Sequence, residues 1–192
     1  MDVMRKISII TVFLFLSFIV NAADNDNFDN FRFEHLTISD GLSQSAVNEI
    51  TQDCFGFVWI GTQDGLNRFD GYEVKVYKND PQDKNSLTNN QILAITSDTS
   101  GNLWIGTFGG GLNIYNPHCD SFLNIINRPE FFKNISGNEI MRVFRDSKGN
   151  MWVGTEIGLY RARAAANSKS VTEIRFERVQ LTINKQLANY QV

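Results

Sequence analysis

The stretch that decides the fold is DTSGNLWIGTFGGGLNIYN, residues 98–116, in which a Trp stands between two glycine-bearing turns. The chain says the same thing twice more, as DCFGFVWIGTQDGLNRFD at 53–70 and DSKGNMWVGTEIGLYRA at 146–162. Asp53, Asp98 and Asp146 each lie six residues before a Trp, namely Trp59, Trp104 and Trp152. Gly61, Gly106 and Gly154 follow in register, each with a Thr behind it. A Gly-Leu pair then closes each copy at 65–66, 111–112 and 158–159, the middle copy carrying one extra Gly. The register also runs backwards, to Val47, Ile92 and Ile140 and further to Leu42, Leu87 and Ile135. The Trp residues are 45 and 48 positions apart. A period of that size marks a stacked repeat architecture, in which each copy is one supersecondary unit.

The local chemistry predicts strands. Each D-x-x-G is a tight turn, with an Asp whose carboxylate accepts a nearby backbone N–H and a Gly that tolerates positive φ. FVWIGT and NLWIGT are short, aromatic and β-branched, and apolar on both faces, as a strand covered on both sides would be. LNRFD and LNIYN follow a second turn, and EVKVYK alternates as a half-exposed strand. In the first copy this gives strands over 46–52, 57–62, 66–70 and 73–78. The first is ambiguous, because Val47 and Ile50 have helical spacing. A run of about six residues is too short for a stable helix, so a strand is expected. The expected fold is all-β: an incomplete β-propeller of three four-stranded antiparallel blades, about 37–80, 81–128 and 129–170, with stray flanking strands. The Trp residues are expected to pack between adjacent sheets, with the glycines at the hairpin corners.

Composition places the chain among globular proteins, since 42% of residues are hydrophobic and 20% charged. Fifteen Phe suggest an aromatic-rich core. A net charge of −3 and the lack of any Lys/Arg cluster give no reason to expect nucleic acid. At the N-terminus, Arg5 and Lys6 precede an uncharged apolar run from Ile7 to Val20, and Val20-Asn21-Ala22 has the form of a cleavage site. Fourteen residues fall short of the ~20 a membrane span needs. Residues 1–22 are therefore expected to be a secretory signal peptide, 23–30 a polar leader, and the mature chain periplasmic with no membrane span.

The D-x-x-G-x-[LVM]-W-[IV]-G-T-x-x-G-L repeat resembles the two-component regulator propeller repeat. FEHLTISDGLSQSAVNEITQD and NSLTNNQI resemble the same family. The likeness covers about residues 31–162. It implies the periplasmic sensor part of a bacterial receptor, with propellers of about seven blades ahead of a histidine kinase, often hybrid, or a diguanylate cyclase. It also implies a ligand such as a glycan or a glycan breakdown product. This sequence departs from the family in holding three full repeats. Residues 171–192, VTEIRFERVQLTINKQLANYQV, offer one strand and then resemble the run-in to a fourth blade, without a D-x-x-G or W-x-G-T after it. The chain thus reads as the N-terminal piece of a truncated receptor or as a partial chain, whose exposed blade faces would favour aggregation or self-association. FRFEHL at 31–36 would close a complete ring, and is expected to be unpaired or to pair with 171–178.

Strand parity puts the turns near 63–65, 108–110 and 156–157 on the face opposite the D-x-x-G turns, together with the inter-blade loops. Gln63, Asp64, Asn90, Phe108 and Glu156 are the ligand-binding candidates on that face. No catalytic, metal or cofactor site is expected. His35 and His118 lie in no ligand spacing, and GTFGGGLN has no following helix to complete a phosphate site. Cys54 and Cys119 fall on one face at different radii, which leaves a disulfide open. The leading expectation is a non-enzymatic ligand-sensing module. Its alternatives are a free-standing glycan-binding or protein-interaction module and, further off, an exported propeller lyase or hydrolase.

Overall fold

A computed structural model describes residues 33–162 and 174–180. The chain divides into two compact units, Met1–His35 and Leu36–Val192. All the strands that follow lie in the second.

Three sheets hold the repeats. The first blade is β1 (Val47–Gln52), β2 (Val58–Thr62), β3 (Gly65–Phe69) and β4 (Val74–Tyr77), hydrogen-bonded in that order. The second is β5 (Ile92–Ser97), β6 (Leu103–Thr107), β7 (Gly111–Asn116) and β8 (Ser121–Asn124). The third is built on β10 (Ile140–Arg145), β11 (Met151–Thr155) and β12 (Gly158–Ala162). All pairings within the first two blades are antiparallel.

The third blade corrects the expected boundaries. Its fourth strand is β13 (Ile174–Arg178), antiparallel to β12, so the blade runs past 170 and this strand opens no fourth blade. Ile174 and Phe176 explain the placement, since both are buried in the core between the second and third blades. A two-residue strand that the sequence reading lacked, β9 (Phe132–Lys133), joins the far edge of β13 in parallel. Residues 33–36 form no strand and β13 pairs with β12 and β9, so of the two outcomes expected for 31–36 the pairing with 171–178 is not seen among the described residues. The residues expected to form a signal peptide and a polar leader, residues 163–173 and the expected run-in after 180 lie outside the described residues.

Each inner strand carries a β-bulge at the same register, between Val47 and Glu49, between Ile92 and Ala94, and between Ile140 and Arg142. The bulge explains the misleading helical spacing. In a regular strand, residues three apart face opposite ways; one extra residue returns them to the same face. Val47 therefore pairs with Thr62 and Ile50 with Ile60, two residues of one face of β2. The bulged Asn48 sends its Nδ2 to the Ile92 carbonyl of the next blade at 2.7 Å.

The core lies between sheets. Trp59, Leu66 and Tyr77 of the first blade meet Ile92, Ile95, Leu103, Ile105, Tyr115 and Phe122 of the second. Trp104, Leu112 and Ile114 of the second meet Ile140, Val143, Met151, Val153, Tyr160 and Phe176 of the third. Trp59 and Trp104 are 1% and 3% exposed. The aromatic core is narrower in Phe than composition suggests: Phe33, Phe55, Phe108 and Phe144 are exposed, while Tyr77, Tyr115 and Tyr160 are buried.

Candidate functional site: two loop faces and the turns that build them

The D-x-x-G turns share one face. A Cβ added to Gly101 would meet Cys54 Sγ at 3.1 Å, and one added to Gly149 would meet Thr99 Cγ2 at 3.6 Å, so the three turns stand side by side. Gly56, Gly101 and Gly149 have φ of 93°, 85° and 81°, which is why glycine closes each turn. The six-residue interval from Asp to Trp has a direct cause. One carboxylate oxygen of Asp53 accepts the N–H groups of Phe55 and Phe57, at 2.9 and 3.0 Å, and the other accepts the indole Nε1–H of Trp59 at 2.7 Å. Asp98 and Asp146 do the same for Trp104 and Trp152, at 3.1 and 2.9 Å. Hydrogen bonds from Asn150, Trp152 and the turn backbone hold the Asp146 carboxyl down at about 2. The sequence showed the spacing; the indole bond was not foreseen.

The second turn of each repeat is closed by the Thr of W-x-G-T. Thr62, Thr107 and Thr155 donate their hydroxyls to the carbonyls of Gly65, Gly111 and Gly158, at 3.0, 2.9 and 3.2 Å. Behind these turns lie two buried Asn residues that sequence reasoning passed over. Asn67 accepts the Ser43 N–H and donates to Ser43 Oγ and the Ile60 carbonyl, at 2.8, 2.9 and 3.0 Å. Asn113 clamps Thr88 in the same way, accepting its N–H at 3.2 Å and donating to Oγ1 at 2.8 Å. The visible signal was an Asn two residues after each Gly of G-L-N, together with Ser or Thr after Leu42 and Leu87. Both Asn side chains tie the inter-blade loop to its own sheet.

The candidate ligand residues divide into two kinds. Asp64 and Asn90 are brought together: Asn90 Nδ2 donates to Asp64 Oδ1 at 3.3 Å, Lys78 pairs with Asp64 Oδ2 at 2.6 Å, and Asn90 Oδ1 accepts the Asn79 N–H at 2.7 Å. This polar group bridges a turn of the first blade and the loop into the second. Glu156 is occupied locally, accepting the N–H groups of Asn138 and Glu139 at 3.0 and 3.1 Å. Burial works against its charged form, but those N–H groups prevail and its pKa falls. Gln63 and Phe108 are exposed, and each anchors its turn by a backbone N–H donated to the loop carbonyls of Ala46 and Gln91. The Gly111 N–H donates to the Asn138 carbonyl at 2.7 Å, which joins the second turn to the third inter-blade loop.

A further polar cluster clasps the outer strands of the first two blades. Asp120 accepts the hydroxyls of Tyr77 and Tyr115 at 2.7 and 2.8 Å and pairs with Lys75 at 2.5 Å. Burial raises the Asp120 pKa, but the bonds from Lys75, Tyr77 and Tyr115 outweigh it and leave it at about 2. Burial pushes the Tyr77 phenol upward, and its bonds to Tyr115 and Asp120 add to the effect. Cys54 and Cys119 are free and exposed, so the bridge left open by the sequence is absent. Among the described residues, no group of three His, Cys, Asp or Glu could hold a metal ion, and no helix is long and apolar enough to cross a membrane.

Stacked sheets of four antiparallel strands, the third with a short parallel strand added at its edge, each with the same turn and the same bulge, define a β-propeller-type repeat protein. The sequence model of the two component regulator propeller family matches residues 86–109 and 134–156. The chain is 47% identical over 85 residues to Histidine kinase P4 of Formosa agariphila, which covers 44% of this chain and 6% of that protein. It also matches the extracellular domain of BT3049 from B. thetaiotaomicron, a protein assigned as a hybrid two component system. There the identity is 28% and the TM-score 0.55, over 82% of this chain and 20% of that one. The extracellular domain of BT4673, with the same assignment and source, matches at 25% identity and a TM-score of 0.52, over 64% of this chain and 17% of that one. This chain therefore spans a small fraction of the length of each relative.

Proposed function

We propose that this chain is an exported ligand-sensing propeller module of a two-component-type receptor, working in the periplasm. The observation that carries the reading is the match of its three sheets to the extracellular domain of a hybrid two component system over 82% of the chain. The 47% identity to a histidine kinase supports a kinase as the output that such a receptor would control. The Arg5–Val20 leader pattern supports export. The ligand face is the one that carries Gln63, Asp64, Asn90, Phe108 and Glu156. An exposed aromatic ring at Phe108 and a polar group at Asp64–Asn90 are the elements with which such a face would hold a polyhydroxylated ligand, one by stacking and the other by hydrogen bonds. The module works by binding, with no acid/base pair assigned.

The test is a thermal-shift screen of the exported chain against soluble oligosaccharides. A ligand at about 100 times its Kd stabilises the folded state by about 2.7 kcal/mol. The expected result is a rise in midpoint with one glycan class that Phe108→Ala and Asn90→Ala abolish. A rise indifferent to both substitutions would move the site elsewhere, and retention of the chain in the cytoplasm would overturn the receptor reading.

A further inference from the structure

The seams between successive blades are built alike at their glycines. A Cβ added to Gly61 would meet Ile92 Cγ2 of the next blade at 2.6 Å, and one added to Gly106 would meet the Ile140 carbonyl oxygen at 2.6 Å. Two residues earlier in each strand, at the Trp, the blades differ. In the second blade Trp104 pairs with Ile114 and Ile114 with Leu123, and the row packs into the apolar core. In the first blade the same row reads Trp59, Arg68 and Lys75. In the third it reads Trp152, Arg161 and Glu177. The second blade shows that the fold needs no charge at this register. The third shows how a cation is balanced there: Arg161 lies over Trp152 at 5.7 Å and pairs with Glu177, directly opposite on the next strand, at 2.7 Å.

Arg68 lacks that balance. The residue opposite it is Lys75, and like charges placed across a strand pair repel. Lys75 is neutralised from the second blade by Asp120, whose carboxylate also accepts the hydroxyls of Tyr77 and Tyr115. Asp70, two residues further along the chain, is engaged by the N–H groups of Tyr72 and Glu73. The half-buried Arg68 guanidinium lies on the Phe57 ring, 4.6 Å from its centroid and 6.0 Å from that of Trp59. Among the described residues none forms an ion pair with it or accepts a hydrogen bond from it. Stacking fixes the plane of the fork and leaves its in-plane N–H donors unclaimed, the arrangement that takes a carboxylate by parallel N–H···O bonds. We propose that Arg68 is the binding site for the carboxylate of a small organic acid, acidic sugars included, which supplies to the first blade what Glu177 supplies to the third. Arg68 stands one pair from the D-x-x-G end of its sheet, so this site is separate from the face that carries Gln63, Asp64, Asn90, Phe108 and Glu156 and does not rest on it.

The test is a titration of the isotope-labelled full chain with sodium acetate and with sodium glucuronate, read at the arginine Nε–H resonances. Ionic strength is held constant with sodium chloride, which matches general screening. The expected result is that one resonance moves saturably with both salts and stays still with glucose. It should be the resonance missing from Arg68→Ile, which carries the second blade's residue at that register, and from Arg68→Lys, so either variant assigns it. Arg68→Lys keeps the charge without the fork and should weaken binding, followed by other nearby resonances, by about tenfold or more. Tighter binding of glucuronate than of acetate would give the sugar ring a share in the site, and equal binding would leave the carboxylate as the whole determinant. The proposal is overturned by the lack of any saturable movement, by movement of all arginine resonances together, by the same response to glucose, or by an affinity unchanged in either variant.

Discussion

Trp104 and Trp152 occupy the same place in their sheets and receive the same cap, yet their surroundings differ. Both donate the indole N–H to the turn Asp six residues earlier, at 3.1 and 2.9 Å. Trp104 is buried under the third blade, with Phe176 edge-on at 6.2 Å between ring centroids. Trp152 faces outward from the last described sheet, beside exposed Phe144 and under the Arg161 guanidinium at 5.7 Å. The cap is local to one repeat, whereas burial belongs to two repeats together. One copy of the motif therefore specifies a complete turn and only half of an interface.

The largest expected break in this comparison is at the indoles. Trp104→Ala is expected to cost about 3–5 kcal/mol by loss of transfer energy and creation of a cavity. Trp152→Ala should cost about 1 kcal/mol, chiefly the indole hydrogen bond. Denaturant unfolding of the two variants measures both, and equal costs would mean that the outer face is as covered as the seam. Next come the seam glycines. Gly106→Ala is expected to cost about 1–3 kcal/mol by overpacking and more than Gly61→Ala. At Gly106 the obstacle is a backbone carbonyl, which cannot rotate away as a side-chain methyl can. The cap is expected to matter about as much as a seam glycine: Asp98→Ala orphans the Trp104 indole and two turn N–H groups, at about 1–3 kcal/mol, measured in the same way.

Acid sharpens the comparison with smaller effects. Asp120 in the seam and Asp146 in the open blade are both held at about 2 against an ordinary 3.8. A folded pKa below the unfolded one means that the stability is present above the unfolded value and is lost as pH falls through the folded one. Both contributions should therefore persist at pH 5 and disappear between about pH 4 and 2. Asp120→Asn should flatten that part of the acid-unfolding curve followed by near-ultraviolet circular dichroism. Smallest of all, Lys78→Ala removes a half-exposed ion pair with Asp64 and should shift stability by about 0–1 kcal/mol.

The repeat register made the sheets legible. Strands predicted at 46–52, 57–62, 66–70 and 73–78 are observed at Val47–Gln52, Val58–Thr62, Gly65–Phe69 and Val74–Tyr77. Turn chemistry was legible too, because D-x-x-G depends only on neighbours in sequence. The strand after residue 170 was expected but not assigned to the third blade, since Ile174 and Phe176 take their meaning from a core assembled by residues far away in the chain. The buried Asn67 and Asn113 were missed for the same reason: an Asn in an apolar strand looks like a solvent-facing position until its clamp on Ser43 or Thr88 is seen. The candidate ligand residues could be placed on a face by parity. Which of them join, as Asp64 and Asn90 do, depends on side-chain rotamers that no spacing encodes.

The inner-strand bulge has a consequence for how such chains can change length. Since one extra residue at Asn48, Leu93 or Met141 keeps the aliphatic residues on both sides of it on a common face, removing that residue would turn everything before it towards the wrong neighbour. Insertions and deletions in these strands should then be tolerated in twos and rejected singly, which gives the blades a parity rule that the freely varying outer loops escape.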